Sequence, residues 1–361
     1  MVLAIFNGSW FSSRPTGLGV VAEGLANALD PHKISLTRPL DNTGEGNYLA
    51  SSNLTKAGHG TLGHIQRLIW TQKELPIVMR ERRAQLLLSP VPEAPVFQGI
   101  RSIVIAHDLI PIRYPRPSPL LAYHLLYVPI VLHSAELVLC NSEATAREVH
   151  EKLRIPTHRL EVIRLGFDPG VLRPLNIERA PFLLVLGRHD PHKNLRRVLE
   201  AFALSCKSTS YSTRDLELYL VGPHDRRYTP RLKYLAEELG IGHRCHWIPW
   251  VGNNDRLLLL NRCQALVITS MWEGFGLPAL EAMACGTPVI ASNTGALPEV
   301  VGDAGLLVNP LSSQAIAMAI NEVIRDPLIL HESARKGPAR AAQFRWDATA
   351  RHVEELLEYL V

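Results

Sequence analysis

The stretch Ala265-Leu-Val-Ile-Thr269-Ser-Met-Trp-Glu273-Gly-Phe-Gly-Leu-Pro-Ala-Leu-Glu281-Ala-Met-Ala-Cys-Gly286 decides the fold. Its first five residues form an apolar, β-branched run that predicts a strand. Gly274, Gly276 and Pro278 then break the strand and begin a helix, which Gly286 ends. A strand, a tight turn and a helix start expose backbone N–H groups at the positive end of the helix dipole. Glycines in the turn let a phosphate or a sugar oxygen come close to the main chain, so Gly274, Phe275, Gly276 and Leu277 are candidate donors. Glu281 lies inside the helix, where a lone carboxylate is either a favourable first-turn charge or a partner for hydroxyl groups.

The pattern repeats around this stretch. Phe182-Leu-Leu-Val-Leu-Gly187, 216–222 and 245–249 read as strands, and 194–206, 230–239 and 255–263 as helices. Alternating β and α elements predict a parallel sheet, with ligands gathering at the carboxyl ends of its strands. The polar motifs fall at those ends. Gly187-Arg188-His-Asp-Pro-His-Lys193-Asn194 places two cations and an expected helix N-cap, Asn194, in one loop. Arg offers a bidentate fork and Lys a mobile point charge, a pair suited to a diphosphate; the plainer reading is two surface cations. His189 and His192 are spaced like metal ligands, but no third partner lies nearby in sequence and no metal is expected. Gly222-Pro223 and Trp250-Val-Gly-Asn-Asn-Asp255 end the next two strands.

The first half reads less regularly. A strand at 2–6 leads through a polar, glycine-containing loop to a helix at 20–29. Gly17-Leu-Gly19-Val-Val-Ala22 matches a dinucleotide fingerprint only superficially, because that fingerprint requires its first glycine directly after the strand. The polar segment 39–63 lacks periodicity and reads as an acceptor-side loop. Strands are expected at 84–90 and 102–106, the second followed by His107-Asp108-Leu-Ile-Pro111. A histidine at a strand end is as often structural as catalytic, and Asp108 either orients an acceptor hydroxyl or caps its own loop. Residues 120–131, with Tyr123, His124 and Tyr127, read as a buried helix, with a groove or a membrane-facing surface as the alternative. A strand at 136–140 precedes Ser142 as a helix N-cap, and the proline-rich 169–181 reads as an interdomain linker. Residues 344–358 form an amphipathic helix.

At 361 residues the chain exceeds the usual ceiling for one hydrophobic core, which predicts two domains. A content of 47% hydrophobic and 20% charged residues excludes a disordered chain. Five scattered cysteines without a C-x-x-C pair argue against a disulfide framework or a zinc ribbon and favour the cytoplasm. Met-Val-Leu-Ala-Ile-Phe-Asn-Gly has no basic leader and reads as a first strand. The net charge of +4 is dispersed, so no nucleic-acid partner is expected. Its one cluster, Arg80-Glu-Arg-Arg83, is either a solvated helix face or a contact for anionic lipid headgroups.

The spacing from Glu273 to Glu281, with Gly-Phe-Gly-Leu-Pro between them, resembles the E-x7-E signature of the retaining glycosyltransferases of family 4. The continuation Gly286-Thr-Pro-Val-Ile-Ala-Ser292 and Pro298-Glu-Val-Val-Gly302-Asp-Ala-Gly305 resembles the same family. His-Asp-Leu-Ile-Pro is similar to a loop of its mannosyltransferase-like members, Arg188 and Lys193 match its diphosphate-binding pair, and Trp346 matches the aromatic at its C-terminal crossing. The resemblance implies an α/β protein of GT-B architecture, two Rossmann-like domains facing across a cleft. Residues 1–173 would be the acceptor-side domain, 174–346 the nucleotide-sugar domain, and 347–361 a helix crossing back to complete the first.

The activity implied is transfer of a hexose, with retention, from a nucleotide diphosphate sugar to a hydroxyl of a glycan or lipid-linked saccharide. Mannose from GDP-mannose is the first choice of donor and a UDP-hexose the second. The resemblance calls for no metal or cofactor and leaves room for peripheral attachment to the cytoplasmic membrane face. It gives Arg188 and Lys193 the departing diphosphate, and the amides around Gly17, Gly19, Gly187 and Gly274 to Leu277 the phosphate and sugar oxygens. Trp250 falls to the nucleobase, Glu281 to the ribose diol, Glu273 and His107 to the hexose, and Asp108 to the acceptor; the cleft must close to bring His107 towards Glu273. An NAD-dependent oxidoreductase would use Gly17, Gly19 and Ala22 but leaves both glutamates and both cations without a role. An inert sugar-nucleotide binding protein would carry the same motifs.

Overall fold

The apolar runs in the second half become strands because each is buried on both faces, the condition that produces near-continuous apolar sequence in a parallel sheet. A computed structural model describes residues 3–11, 17–38, 48–50, 61–116, 121–207 and 215–361. It divides into one unit of Met1–Gly166 with Arg345–Val361 and a second of Phe167–Phe344.

The first unit has strands β1 (Ala4–Phe6), β2 (Ile34–Arg38), β3 (Tyr48–Ala50), β4 (Leu86–Ser89), β5 (Ser102–Ala106), β6 (Leu137–Cys140) and β7 (Leu160–Val162), all parallel, in the order β3-β2-β1-β4-β5-β6-β7. The second has β8 (Phe182–Leu186), β9 (Glu217–Val221), β10 (Cys245–Ile248), β11 (Ala265–Ile268), β12 (Val289–Ser292) and β13 (Leu306–Val308), also all parallel, in the order β10-β9-β8-β11-β12-β13. In each sheet the chain reverses its direction of growth once, between β1 and β4 and between β8 and β11. Such a reversal splays two strand-end loops apart and leaves a crevice outside the carboxyl ends.

Helices cover both faces of each sheet. In the second unit Leu195–Cys206 buries Val198, Leu199 and Phe202 and packs on Ser313–Arg325, which buries Ile316, Ile320 and Val323. In the first unit the C-terminal helix Trp346–Leu360 sends Ala350, Val353 and Leu357 into the same apolar cluster as Phe6, Leu25 and Ile103. The unit division lies at Gly166, ahead of the expected boundary at 173, and Trp346 belongs with the first unit. A Cβ on Gly24 would lie 2.4 Å from the Trp346 ring, and one on Gly166 would lie 2.3 Å from the Trp346 backbone nitrogen. The indole therefore sits where two glycines clear space for it. Trp346→Ala should cost about 3 kcal/mol, the lower end for a large aromatic because the ring is only half-buried, read as a lower urea midpoint with the denaturant slope unchanged.

Several local expectations change. Ser142 caps Glu143–Leu153 as expected, its side chain accepting from Thr145 N at 3.0 Å. Asn194 precedes Leu195–Cys206 but does not cap it: the residue is left-handed (φ 60), and its Nδ2 donates to Thr269 O at 2.9 Å and Pro310 O at 2.7 Å. A buried amide gains more from two otherwise unsatisfied carbonyls than from a helix end. Of the segment 120–131, the described residues from 121 on are helical but only partly buried, with Val128 and Val131 in the core. Within it Tyr123–Tyr127 is a π-helical turn that continues into Val128–Ser134, and Leu125, Leu126 and Ile130 are exposed. Of the supposed acceptor loop at 39–63, Tyr48–Ala50 is strand and the last residues open helix Thr61–Lys73; the remainder lies outside the described residues, as do 12–16 of the loop before the first helix.

Candidate functional site

In the second unit, loops from both sides of the strand-order reversal supply the polar groups. The loop after β8 carries Arg188 to Lys193, and the loop after β11 carries Ser270 to Leu277. Met271 N donates to His192 O at 2.7 Å, tying the two together. Lys193 Nζ donates to Glu273 Oε1 at 2.7 Å and to Oε2 at 2.9 Å, and Ser270 Oγ donates to Oε1 at 2.6 Å. Glu273 is buried at 7% exposure. Burial alone would raise its carboxyl, but the Lys193 ammonium, its hydrogen bonds, the Ser270 hydroxyl and His192 together hold it below the ordinary carboxylate range. Glu273 is therefore an anion at neutral pH, and Lys193 spends two of its three donors on it, leaving one to turn towards a ligand.

Glycine geometry makes the close approach of these loops permissible. Gly187 (φ 145) and Gly222 (φ 151) end β8 and β9, and a Cβ on Gly222 would fall 2.0 Å from Gly187 O. Gly276 (φ 105) precedes helix Leu277–Ala284, where a Cβ would meet Leu297 at 2.5 Å. Phe275 is buried, edge-on to Phe344 with ring centroids 5.8 Å apart, so its side chain is core and only its main chain can serve a ligand.

One turn into that helix Glu281 is buried and paired with Arg256, whose Nη1 donates to Oε1 at 2.9 Å. Burial raises the Glu281 carboxyl, and Arg256 offsets this only in part. Arg256 is one of two arginines on helix Asn253–Arg262 and had no sequence signal; only the fold sets it against residue 281. Among the described residues Arg188 makes no ion pair with Glu273. Its guanidinium is 60% exposed and lies 3.4 Å from Asp190. Trp250 is 60% exposed ahead of the same helix. His189 Nδ1 lies 3.0 Å from Thr229 Oγ1, with its ring stacked on His224. Among the described residues no three His, Cys, Asp or Glu side chains form a ligating group.

In the first unit, Gly17 and Gly19 occupy the first turn of helix Gly17–Ala28, and an added Cβ at Gly17 would meet nothing within 4 Å. His107 follows β5 and is buried. Its Nε2 donates to Pro90 O at 2.6 Å, which fixes the tautomer and makes Nδ1 the acceptor, and Nδ1 has no partner among the described residues. Burial pushes this imidazole down to about 4, the Pro90 bond opposing the shift weakly. Because the folded state disfavours the proton that the unfolded state takes up near 6.5, His107 contributes most above that pH and its contribution is lost as pH falls towards 4. The loss amounts to about 3 kcal/mol, so His107→Gln should shrink the drop in urea midpoint between neutral pH and pH 4. Asp108 accepts from Ile110 N at 2.8 Å, the loop-capping role of its two alternatives.

The reversal in the first sheet is filled by a network the sequence did not suggest. Glu93, fully buried after β4, accepts from Trp10 Nε1 at 3.2 Å, Arg67 Nε at 2.9 Å and Tyr123 Oη at 3.0 Å. Its charge is balanced by Arg67, which also lies 3.8 Å over the Trp10 ring.

Comparisons with known proteins agree with this arrangement. Residues 15–171 match the model of Glycosyltransferase Family 4, and residues 173–343 that of Glycosyl transferases group 1. O-antigen chain mannosyltransferase B of Escherichia coli is 31% identical over 230 residues, 60% of this chain and 58% of that protein. A D-inositol 3-phosphate glycosyltransferase of Corynebacterium jeikeium is 36% identical over 248 residues, 64% of this chain and 59% of that protein. The match thus takes in less than two thirds of each relative. The structure of Anabaena HepE with UDP and glucose has the same fold, with a TM-score of 0.75 at 20% identity over 99% of this chain and 100% of that one. With paired parallel sheets, a C-terminal helix returned to the first unit, and both halves matched, the chain belongs to the family-4 glycosyltransferases of GT-B architecture.

Proposed function

We propose that this chain transfers a hexose from a nucleotide diphosphate sugar to a hydroxyl of a glycan or lipid-linked saccharide, with retention of configuration, in polysaccharide biosynthesis. The observation that carries this reading is the placing of Lys193, Glu273 and Glu281 on loops and a helix start at the strand-order reversal of the second sheet. Lys193 receives the diphosphate with its remaining donor, and Arg188 swings from Asp190 to help neutralise it. Gly274 to Leu277 direct backbone N–H groups to phosphate and sugar oxygens. Glu281 accepts the two ribose hydroxyls, Glu273 accepts from the hexose, and His107 Nδ1 accepts from a hexose hydroxyl. The bond from the anomeric carbon to the phosphate oxygen breaks, the acceptor oxygen attacks from the same face, and its proton passes to the departing phosphate. All the neutralising charge in this reading comes from side chains and amides, and no metal or cofactor is assigned.

Mannose from GDP-mannose is the preferred donor, supported by the mannosyltransferase relative. A UDP-hexose is the second reading, favoured by the UDP and glucose bound to HepE. Incubation with GDP-mannose and UDP-glucose in turn, with release of GDP or UDP followed, separates them. Nucleotide that binds but is never released from its sugar would instead indicate an inert binding protein. Glu281→Ala should raise the donor KM roughly tenfold to a hundredfold with a smaller change in kcat, as expected for lost hydrogen bonds to a charged group. Unchanged nucleotide affinity by calorimetry would remove Glu281 from the ribose. No helix among the described residues is long and apolar enough to cross a membrane. The location proposed is the cytoplasm, with peripheral attachment to its membrane face.

A further inference from the structure

Two buried polar side chains of the first unit carry atoms that no described residue satisfies, and they stand on neighbouring strands. β5 and β6 are paired so that Ala106 lies opposite Cys140, and each strand is followed at once by a polar residue, His107 after β5 and Asn141 after β6. Neighbouring strands run about 4.8 Å apart, so the two residues leave the sheet side by side. His107 is 7% exposed and Asn141 4%. Among the described residues neither His107 Nδ1 nor Asn141 Oδ1 has a hydrogen-bond partner. With Nε2 donating to Pro90 O, Nδ1 is a lone-pair acceptor, as is the carboxamide oxygen. Buried polar atoms are nearly always paired, and two unpaired acceptors at adjacent strand ends call for a group that brings donors.

The surroundings hold both residues in place without using those atoms. Asparagine is among the preferred residues at a helix N-terminus, yet the cap of helix Glu143–Leu153 is Ser142, whose Oγ accepts from Thr145 N at 3.0 Å. Thr145 Oγ1 in turn donates to His107 O at 3.3 Å. Farther along the same helix Glu148 Oε1 accepts from Arg113 Nε at 2.7 Å, which fixes the far end of the loop that His107 opens. Behind Asn141, Cys140 O accepts from Ile163 N at 2.8 Å. One helix thus ties down the loops after both strands, while Asn141 serves neither as its cap nor as a tie. A ligand that suits the pair must donate to two acceptors and accept from the carboxamide nitrogen between them. Two neighbouring sugar hydroxyls do so, since each is both donor and acceptor. A phosphate offers acceptors where donors are needed, and an ammonium offers nothing to the carboxamide nitrogen.

We infer that Asn141 contacts the transferred sugar directly, its carboxamide and His107 Nδ1 together holding two adjacent hydroxyls of the hexose. This role rests on the hexosyl transfer proposed above and adds to it a residue outside the donor site of the second unit. Release of GDP from GDP-mannose and of UDP from UDP-glucose by the intact chain is followed without added acceptor. The affinity for GDP and UDP, which carry no hexose, is measured by calorimetry. Asn141→Ala should lower kcat/KM for the released nucleotide about tenfold to a hundredfold and leave nucleotide affinity where it is. Asn141→Leu, close to asparagine in size but without polar atoms, should behave alike, and it answers for an alanine variant that folds poorly. Because both residues hold one sugar, His107→Ala combined with Asn141→Ala should lose at least about threefold less than the product of the two single losses. Parent-like rates in both Asn141 variants, a matching fall in GDP or UDP affinity, or single losses that multiply in full would each overturn the role of Asn141 and leave hexosyl transfer standing. A parent that binds nucleotide but releases none from either sugar would overturn the transfer itself, and this role with it.

Discussion

Lys193→Ala is expected to lower donor turnover by roughly a hundredfold to a thousandfold, corresponding to about 3–4 kcal/mol of lost transition-state stabilisation. The leaving diphosphate gathers charge as its bond to the sugar lengthens, and the proposed site meets that charge with one buried-edge ammonium, one exposed guanidinium and a set of amides. Lys193 is the more constrained of the two cations, 21% exposed against 60% for Arg188. It is also the partner of Glu273, so its removal leaves a buried carboxylate with Ser270 as its remaining hydrogen-bond donor. Breaking a buried pair from one side costs several kcal/mol of stability. The two effects can be separated. Adding Glu273→Gln to Lys193→Ala removes the stranded charge and should recover most of the melting temperature, while turnover stays low. Recovery of turnover in the double variant would mean that the lysine serves only to neutralise Glu273.

Gly222→Ala should have the largest effect on folding. At φ 151 the residue lies in a region closed to side chains, and its Cβ would sit 2.0 Å from a backbone oxygen that cannot rotate away. Strain and overlap together predict a loss of roughly 3–5 kcal/mol, visible as a lower midpoint in urea. Gly187 would be displaced, and with it the loop that leads to Lys193, so turnover should fall as well. Gly17→Ala is the contrasting case. An added methyl there meets nothing, so stability should hold and any loss of turnover would report on a ligand approaching the helix start.

The second unit was the more legible half, and the reason lies in its strands. Residues 182–186 and 265–268 are buried on both faces, so each gives an unbroken apolar run bounded by glycine or polar turn residues. The glycines at 187, 222 and 276 mark turns because no other residue fits there. Helical periodicity is less informative at the surface: Leu62, Ile65 and Ile69 repeat like a core face but are exposed, and around Leu126, where a buried helix was expected, Leu125, Leu126 and Ile130 are exposed as well. Asn194 obeys the local preference for a cap in sequence only, because two carbonyls distant in the chain compete for its amide. Pairings such as Arg256 with Glu281, or Trp10 and Arg67 with Glu93, are made by topology between elements far apart in the chain and leave no local mark. The motif residues 193, 273 and 281 were readable, but the direct bond between Lys193 and Glu273 was not, since the sequence assigned one to phosphate and the other to sugar.

The central claim is that the second unit holds a nucleotide sugar at the strand-order reversal of its sheet. The measurement that tests it most directly is a crystal structure of this chain with GDP or UDP bound. The account predicts the diphosphate within hydrogen-bonding distance of Lys193 Nζ and the amides of Gly274 to Leu277, and the ribose hydroxyls on the Glu281 carboxylate. A nucleotide found on the first unit, or bound to the second with Lys193 still donating only to Glu273 and Glu281 untouched, would contradict it.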